Sequence, residues 1–317
     1  MLAATTDTFR TYERDTPGVR LFLPITVALP NVRSKITPAR CLCQRGRLMN
    51  VVRVTPNQGT STVPGPVLFA RYAFPPNSHG YCGPGDHESF FSYGVAGADD
   101  RGLRELARQF AGAWPYLELI AAATGLSDPL DARVVEAYWV GSPRLEGVST
   151  RAVGNSMEER FRRTTGAKFS TLSTSVLAGG VPHHSFAVFC IYPWTGLLSD
   201  GRKAANALMV LDRCRIRWGQ VQAVTGDQVV VESRPLTWDG RRLGLGEPTS
   251  ESVVRAIDGV SMIDELAPGD WVSLHWEWIC DRLSDRQVQY LRDFTLRHLK
   301  IVNEGNLHSG PAALLGT

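Results

Sequence analysis

The chain has little excess charge, no long apolar run and few cysteines for its length, and each shortage removes a class of protein. Its 34 basic residues face 31 acidic ones, a formal charge of +3. That balance leaves no dense basic stripe for a phosphate backbone, so nucleic acid is not expected as a partner. Near the start, the apolar stretch Leu21 to Leu29 is broken by Pro24, and it falls short of the roughly 20 residues that a membrane-crossing helix needs. It is also a poor secretory signal, because Asp7, Glu13 and Asp15 precede it and no small-residue cleavage pattern follows. Six cysteines in 317 residues, Cys41, Cys43, Cys82, Cys190, Cys214 and Cys280, make no disulfide scaffold. They read as thiols in a reducing cytoplasm. No Walker loop, dinucleotide fingerprint, HExxH pair or paired CxxC occurs, so nucleotide, hydride-cofactor and zinc-hydrolase chemistry lose their strongest sequence support.

The composition that remains, 43% hydrophobic and 21% charged, is that of a soluble globular protein able to bury a sizeable core, and the length predicts two domains. Residues 1–48 carry eight Arg or Lys against three acidic residues with little periodicity. They read as a loosely ordered basic extension, with Met49 an alternative start. Residues 49–205 read as a mainly helical domain. Its stretch from Pro64 to Pro84 is rich in proline, glycine and aromatics, which excludes a regular helix or central strand there. Beyond it, Asp86 caps a helix through Tyr93. Asp99 or Asp100 caps one bearing Leu103, Leu106, Ala107 and Phe110. Leu117, Leu119 and Ile120 lead to a stop at Gly125, and Asp128-Pro129 opens a helix through Trp139. Ser156 and Glu159 form a possible capping box.

After Asp212 the period changes. Ile216, Trp218, Val221 and Val224, then Val229 to Val231 after Gly226-Asp227, then Leu236 and Trp238 before Asp239-Gly240, are short strand-like runs between hairpin turns. They predict a small antiparallel β-barrel over 206–303 that continues through Gly269 to His275. Ser284 and Gln287 cap a final helix, and residues 304–317 read as a tail. The fold class is thus α+β, a helical domain followed by a barrel with a C-terminal helix.

The candidates for chemistry are a sparse set of soft and nitrogen donors: Cys82, His87, His183, His184, Cys214 and His275. Cys41-Leu42-Cys43 has no second pair and reads as incidental. Cys82 sits in a Gly-Pro loop ahead of a helix whose first amides could lower its pKa, with His87 five positions on. It is either part of a rigid packed turn or a nucleophile served by His87, His183 or His184 as base. His183 and His184 are adjacent, and on an extended segment they point to opposite faces, so at most one can join a common site.

The order Cys214-Arg215-Ile216-Arg217-Trp218-Gly219, then strands, then Gly269-Asp270-Trp271-Val272-Ser273-Leu274-His275 and a final helix, resembles the hydrogenase-assembly chaperones of the HypC/HupF type over Asp212 to Asn303. The resemblance implies a HypC-like β-barrel with Cys214 and His275 as metal ligands. Their cargo would be an iron fragment carrying cyanide and carbonyl, and the protein a cytoplasmic accessory or chaperone in nickel-iron hydrogenase maturation. It would act on the large-subunit precursor or other assembly proteins and would not be a catalyst. Glu277 or a near neighbour would orient the imidazole. The chain departs from the pattern in the internal position of Cys214, in Trp218 for a proline, and in Trp276-Glu277-Trp278 after the histidine. The whole chain, with Phe-Ala-Arg-Tyr-Ala-Phe-Pro-Pro at 69–76 and Tyr-Cys-Gly-Pro at 81–84, also resembles a family associated with hydrogenase gene clusters. That family implies the same setting and assigns no reaction. The alternative is a cysteine-dependent enzyme using Cys82, with the barrel as a docking module.

Overall fold

A computed structural model describes residues 63–165 and 174–305. The expected basic extension, Met49, the Cys41–Cys43 pair and the tail beyond residue 305 lie outside the described residues.

The first element overturns an expectation. Helix α1 spans Gly65–Ser78 and contains Pro75 and Pro76, although the prolines of this stretch argued against any helix. Pro66 stands in the first turn, where its missing N–H costs nothing, and Pro75 and Pro76 stand in the last. The helical period was hidden because Val67, Leu68, Phe69, Ala70, Tyr72, Ala73 and Phe74 are all buried: a helix apolar all round shows no stripe. Pro76 has a further consequence, since the amide that would bond the Tyr72 carbonyl four residues back is absent.

The next elements follow their caps. Helix α2 (His87–Ala96) is capped by Asp86, and α3 (Arg101–Arg108) by Asp100, whose carboxylate accepts the Leu103 amide at 3.0 Å. Helix α4 (Trp114–Ala123) is followed by Gly125 at φ 69°. For α5 (Ala132–Trp139) the capping residue is Asp131, not Asp128, whose side chain instead accepts the Leu130 amide in the preceding turn. Ser156 and Glu159 open nothing: they lie inside α6 (Thr150–Thr165), and Ser149, accepting the Ala152 amide at 3.2 Å, stands before its first turn. A helical turn at His184–Phe186 continues into a π-helical stretch, Ala187–Ile191. Helix α7 (Ala204–Cys214) leads to the strands.

Those strands are β1 (Arg217–Thr225), β2 (Gln228–Ser233), β3 (Leu236–Trp238), β4 (Leu243–Leu245), β5 (Thr249–Val254), β6 (Ala256–Ile257), β7 (Val260–Ser261), β8 (Trp271–His275) and β9 (Trp278–Leu283). Five of them close on themselves in the order β1-β2-β5-β9-β8, antiparallel except for the short β5–β9 contact at Val254 and Trp278. Alternation turns Val221, Val229, Val231, Val253, Val272, Leu274 and Ile279 into a common interior, each worth about 1.5–3 kcal/mol on burial. The last helix, α8 (Asp285–Glu304), begins with the expected capping box of Ser284 and Gln287.

The chain is a mixed α+β protein with helices before and after the sheet. Packing runs across the point where the sequence changes period: Trp276, Trp278 and Cys280 share an apolar core with Phe74, Trp139 and Phe186. Among the described residues no helix is long and apolar enough to cross a membrane.

Candidate metal centre

Three donors from distant stretches converge where α7, the end of β8 and the helical turn at residue 184 meet. The ligand atoms of His184, Cys214 and His275 all lie within 4.8 Å of one another. All three residues are buried. Metal–ligand bonds of about 2.0–2.3 Å put donors around one tetrahedral ion roughly 3.4–3.8 Å apart, so a single ion would draw these groups in by at most about 1.4 Å.

Hydrogen bonds fix which ring nitrogen is available. The His275 Nδ1 lies 2.7 Å from the Tyr72 carbonyl, and because a carbonyl only accepts, Nδ1 carries the proton. Nε2 of the neutral ring then holds a lone pair, and it has no hydrogen-bond partner although it is buried. The Tyr72 carbonyl is free for this contact because Pro76 cannot occupy it. His184 donates from Nε2 to the Cys214 carbonyl at 2.8 Å, so its lone pair is on Nδ1, 3.2 Å from the Tyr138 hydroxyl. That long bond is the one an ion would replace.

Both rings are neutral near pH 7. Burial holds His184 down to about 4, and burial, reinforced by His184, holds His275 well below its ordinary value. Burial pushes the Cys214 thiol well up, with Cys82 adding to the effect. Neutral imidazoles are competent ligands as they stand. The thiol must give up its proton to an incoming cation, so binding would release protons.

The donors line a cavity of about 20 Å³ together with Cys82, Tyr138, Trp139 and Tyr192. That is room for one water-sized occupant.

The chain matches the model of a family of unknown function, DUF6390, over residues 61–309. It belongs to the DUF6390 family. No curated protein and no solved structure matches it.

In this DUF6390 chain Cys214 and His275, paired by sequence reasoning, stand together, and His184, a candidate donor or base whose place was left open against that of His183, joins them. Cys82 lines the same cavity. His183 does not join: its Nδ1 accepts the Ser185 amide at 3.1 Å and lies 2.7 Å from the Ser185 hydroxyl, which lies 2.7 Å from the His298 Nδ1. His87 is exposed at the start of α2. Glu277, expected to orient the imidazole, instead lies 2.7 Å from the His79 Nε2. Glu277 lies in the turn beyond the end of β8, outside the strand that carries His275, and the ring is oriented from α1. What the sequence did not reveal was the Tyr72 carbonyl. Its signal was Pro76, a proline four residues after a buried tyrosine.

Proposed function

We propose that this chain holds a transition-metal ion, iron in the first instance, at His184, Cys214 and His275, and serves as an accessory or chaperone protein in nickel-iron hydrogenase maturation. The observation that carries the metal site is the unpartnered Nε2 lone pair of buried His275, a residue with a ring nitrogen within 4.8 Å of ligand atoms of His184 and Cys214. One thiolate and two imidazoles suit soft to borderline ions. The hydrogenase setting rests on the HypC-like order of cysteine, closed sheet, histidine-bearing strand and outer helix. The partner is accordingly a large-subunit precursor or another assembly protein, met in the cytoplasm.

The small cavity limits the cargo. At about 20 Å³ it takes a bare ion, whereas iron carrying cyanide and carbonyl needs the loop around Cys82 to move aside. Cysteine-dependent catalysis is less well supported, because burial pushes the Cys82 thiol up to about 11 and leaves it protonated, a poor nucleophile.

The test is anaerobic purification from hydrogenase-producing cells of wild type and Cys214→Ser. Serine keeps the size and replaces a soft donor with a hard, protonated one. Wild type should carry iron, with infrared bands of bound cyanide and carbonyl if the fragment is loaded, and the variant should be equally soluble and lack both. Iron undiminished in the variant would overturn the site, and iron without the bands would confine the cargo to the bare ion.

A further inference from the structure

Resting on the metal site proposed above, we infer that Cys82 is its fourth protein ligand, so that the centre is a Cys2His2 set whose solvent-side thiol is Cys82. Four residues lining the cavity carry donors suited to a soft ion: Cys82, His184, Cys214 and His275. Three donors leave a tetrahedral ion one position short, and Cys82, in the same wall but outside the group whose ligand atoms lie within 4.8 Å of one another, would supply it by moving toward the ion.

The loop is built to hold Cys82 there. Tyr81, one residue before it, stacks on Trp276, one residue after His275, with ring centroids 4.5 Å apart and planes 23° apart. The His79 Nε2 lies 2.7 Å from the Glu277 carboxylate in the same turn. Asn77 donates to the carbonyls of Cys82 and Pro84. Gly83 follows at φ 83°, where a side chain would strike the Phe110 ring of the cavity wall. The turn that receives the loop is itself fixed in an uncommon conformation: Trp276 has φ 55°, its amide bonds the Arg213 carbonyl at 2.7 Å, and Arg217 donates to its carbonyl. Thus the residue before one ligand is clamped on the residue after another. These contacts use the backbone of Cys82 and its neighbours, not its sulfur, so the loop does not need the thiol to hold its shape.

Exposure separates the two thiols. Cys214 is buried and Cys82 only half-buried.

Cobalt(II) provides the test, because thiolate-to-metal charge transfer counts the sulfurs. Wild type titrated anaerobically should bind one equivalent with the intensity of two thiolates. Cys82→Ser should still bind one equivalent, with about half the charge-transfer absorbance per cobalt and a weaker affinity. X-ray absorption of zinc-loaded wild type needs no variant and should count two sulfur neighbours. Undiminished charge transfer in Cys82→Ser, or one sulfur in wild type, overturns the role of Cys82 and leaves the three-donor site standing. A wild type that binds neither ion removes the site itself, and Cys82 with it.

Discussion

His183 and His184 are neighbours in the chain and belong to different buried clusters. Both rings are neutral: burial lowers His183 to about 3 and His184 to about 4. Both sit against another histidine, His298 for the first and His275 for the second, with ring centroids 5.9 and 5.2 Å apart. Each cluster also contains one buried ring nitrogen without a partner. Burial, ring contacts and an orphan atom therefore do not distinguish a ligand from a structural histidine. The difference lies in which kind of atom is orphaned.

In the His183 cluster the bonds form a one-way chain. The Val181 amide donates to His298 Nε2 at 3.4 Å, so His298 carries its proton on Nδ1 and donates to the Ser185 hydroxyl, which can donate in turn to His183 Nδ1. Every lone pair is used, and the orphan, His183 Nε2, is an N–H that cannot bind a cation. In the other cluster the orphan, His275 Nε2, is a lone pair at a cavity lined by thiols. One arrangement closes on itself and the other leaves a buried lone pair unanswered.

The largest expected effect breaks the comparison in one direction. Cys214→Ser and His275→Ala should each weaken binding of added zinc or cobalt by at least about a hundredfold, above the ten- to hundredfold that partners behind the ligands are worth. Isothermal titration of the purified proteins measures it, and ligand behaviour surviving in either variant would count against the assignment. Ser185→Ala should leave stoichiometry and affinity unchanged.

The converse effect is on stability. Ser185→Ala strands the His298 Nδ1–H in a fully buried position, at a cost of about 2–3 kcal/mol, read as a lower urea midpoint without a change of slope. A midpoint equal to wild type would mean that the chain of bonds does not hold the fold.

A third experiment reads the pH dependence of stability. The His298 ring is held well below its ordinary value by burial, so its contribution is complete above about 6.5, the unfolded value, and is lost as pH falls. Asp281 has the opposite sign. Burial raises it from 3.8 to about 6 despite Arg71 at 3.1 Å. A folded value above the unfolded one favours folding below about pH 4, and that gain is lost as pH rises through 6. The pair ties α1, which orients His275, to β9. Asp281→Asn should therefore remove a rising destabilisation of roughly 1–2 kcal/mol between pH 4 and 6, seen in the difference between variant and wild-type thermal midpoints. A difference that stays flat across that range would show Asp281 to be ordinary.

Much of the scaffold was legible because its signals are local. Asp86, Asp100 and Ser284 cap the helices they announce, since a carboxylate or hydroxyl beside free amides is favourable whatever packs later. Alternation in Val229, Val230 and Val231 and the turn at Gly226-Asp227 gave the first hairpin of the sheet. The site was half legible. Cys214 and His275 stood out as ligand types at the ends of elements, whereas His184 was masked by its neighbour, because which of two adjacent histidines faces the cavity depends on a helical turn beginning between them. The part that failed was α1, where each proline was weighed against the helix alone. The missing donors are tolerated because at least one freed acceptor, the Tyr72 carbonyl, has a partner 203 residues away in His275.

That freed carbonyl yields the smallest and most discriminating prediction. Pro76→Ala suits the helix, since it removes a residue that cannot donate, and by propensity alone it should stabilise α1. It also restores an amide in position to bond the Tyr72 carbonyl, which now receives the His275 Nδ1–H at 2.7 Å. If the two donors compete, the His275 ring is held less firmly and its Nε2 lone pair less well aimed, and metal affinity should fall by about tenfold, the low end for a partner behind a ligand. Nitrogen-15 spectra of the histidine side chains would show the ring leaving its single Nδ1–H form in the variant. Unchanged affinity and an unchanged ring would mean that the carbonyl serves both donors at once, and that the proline is kept for the wall it forms at the cavity.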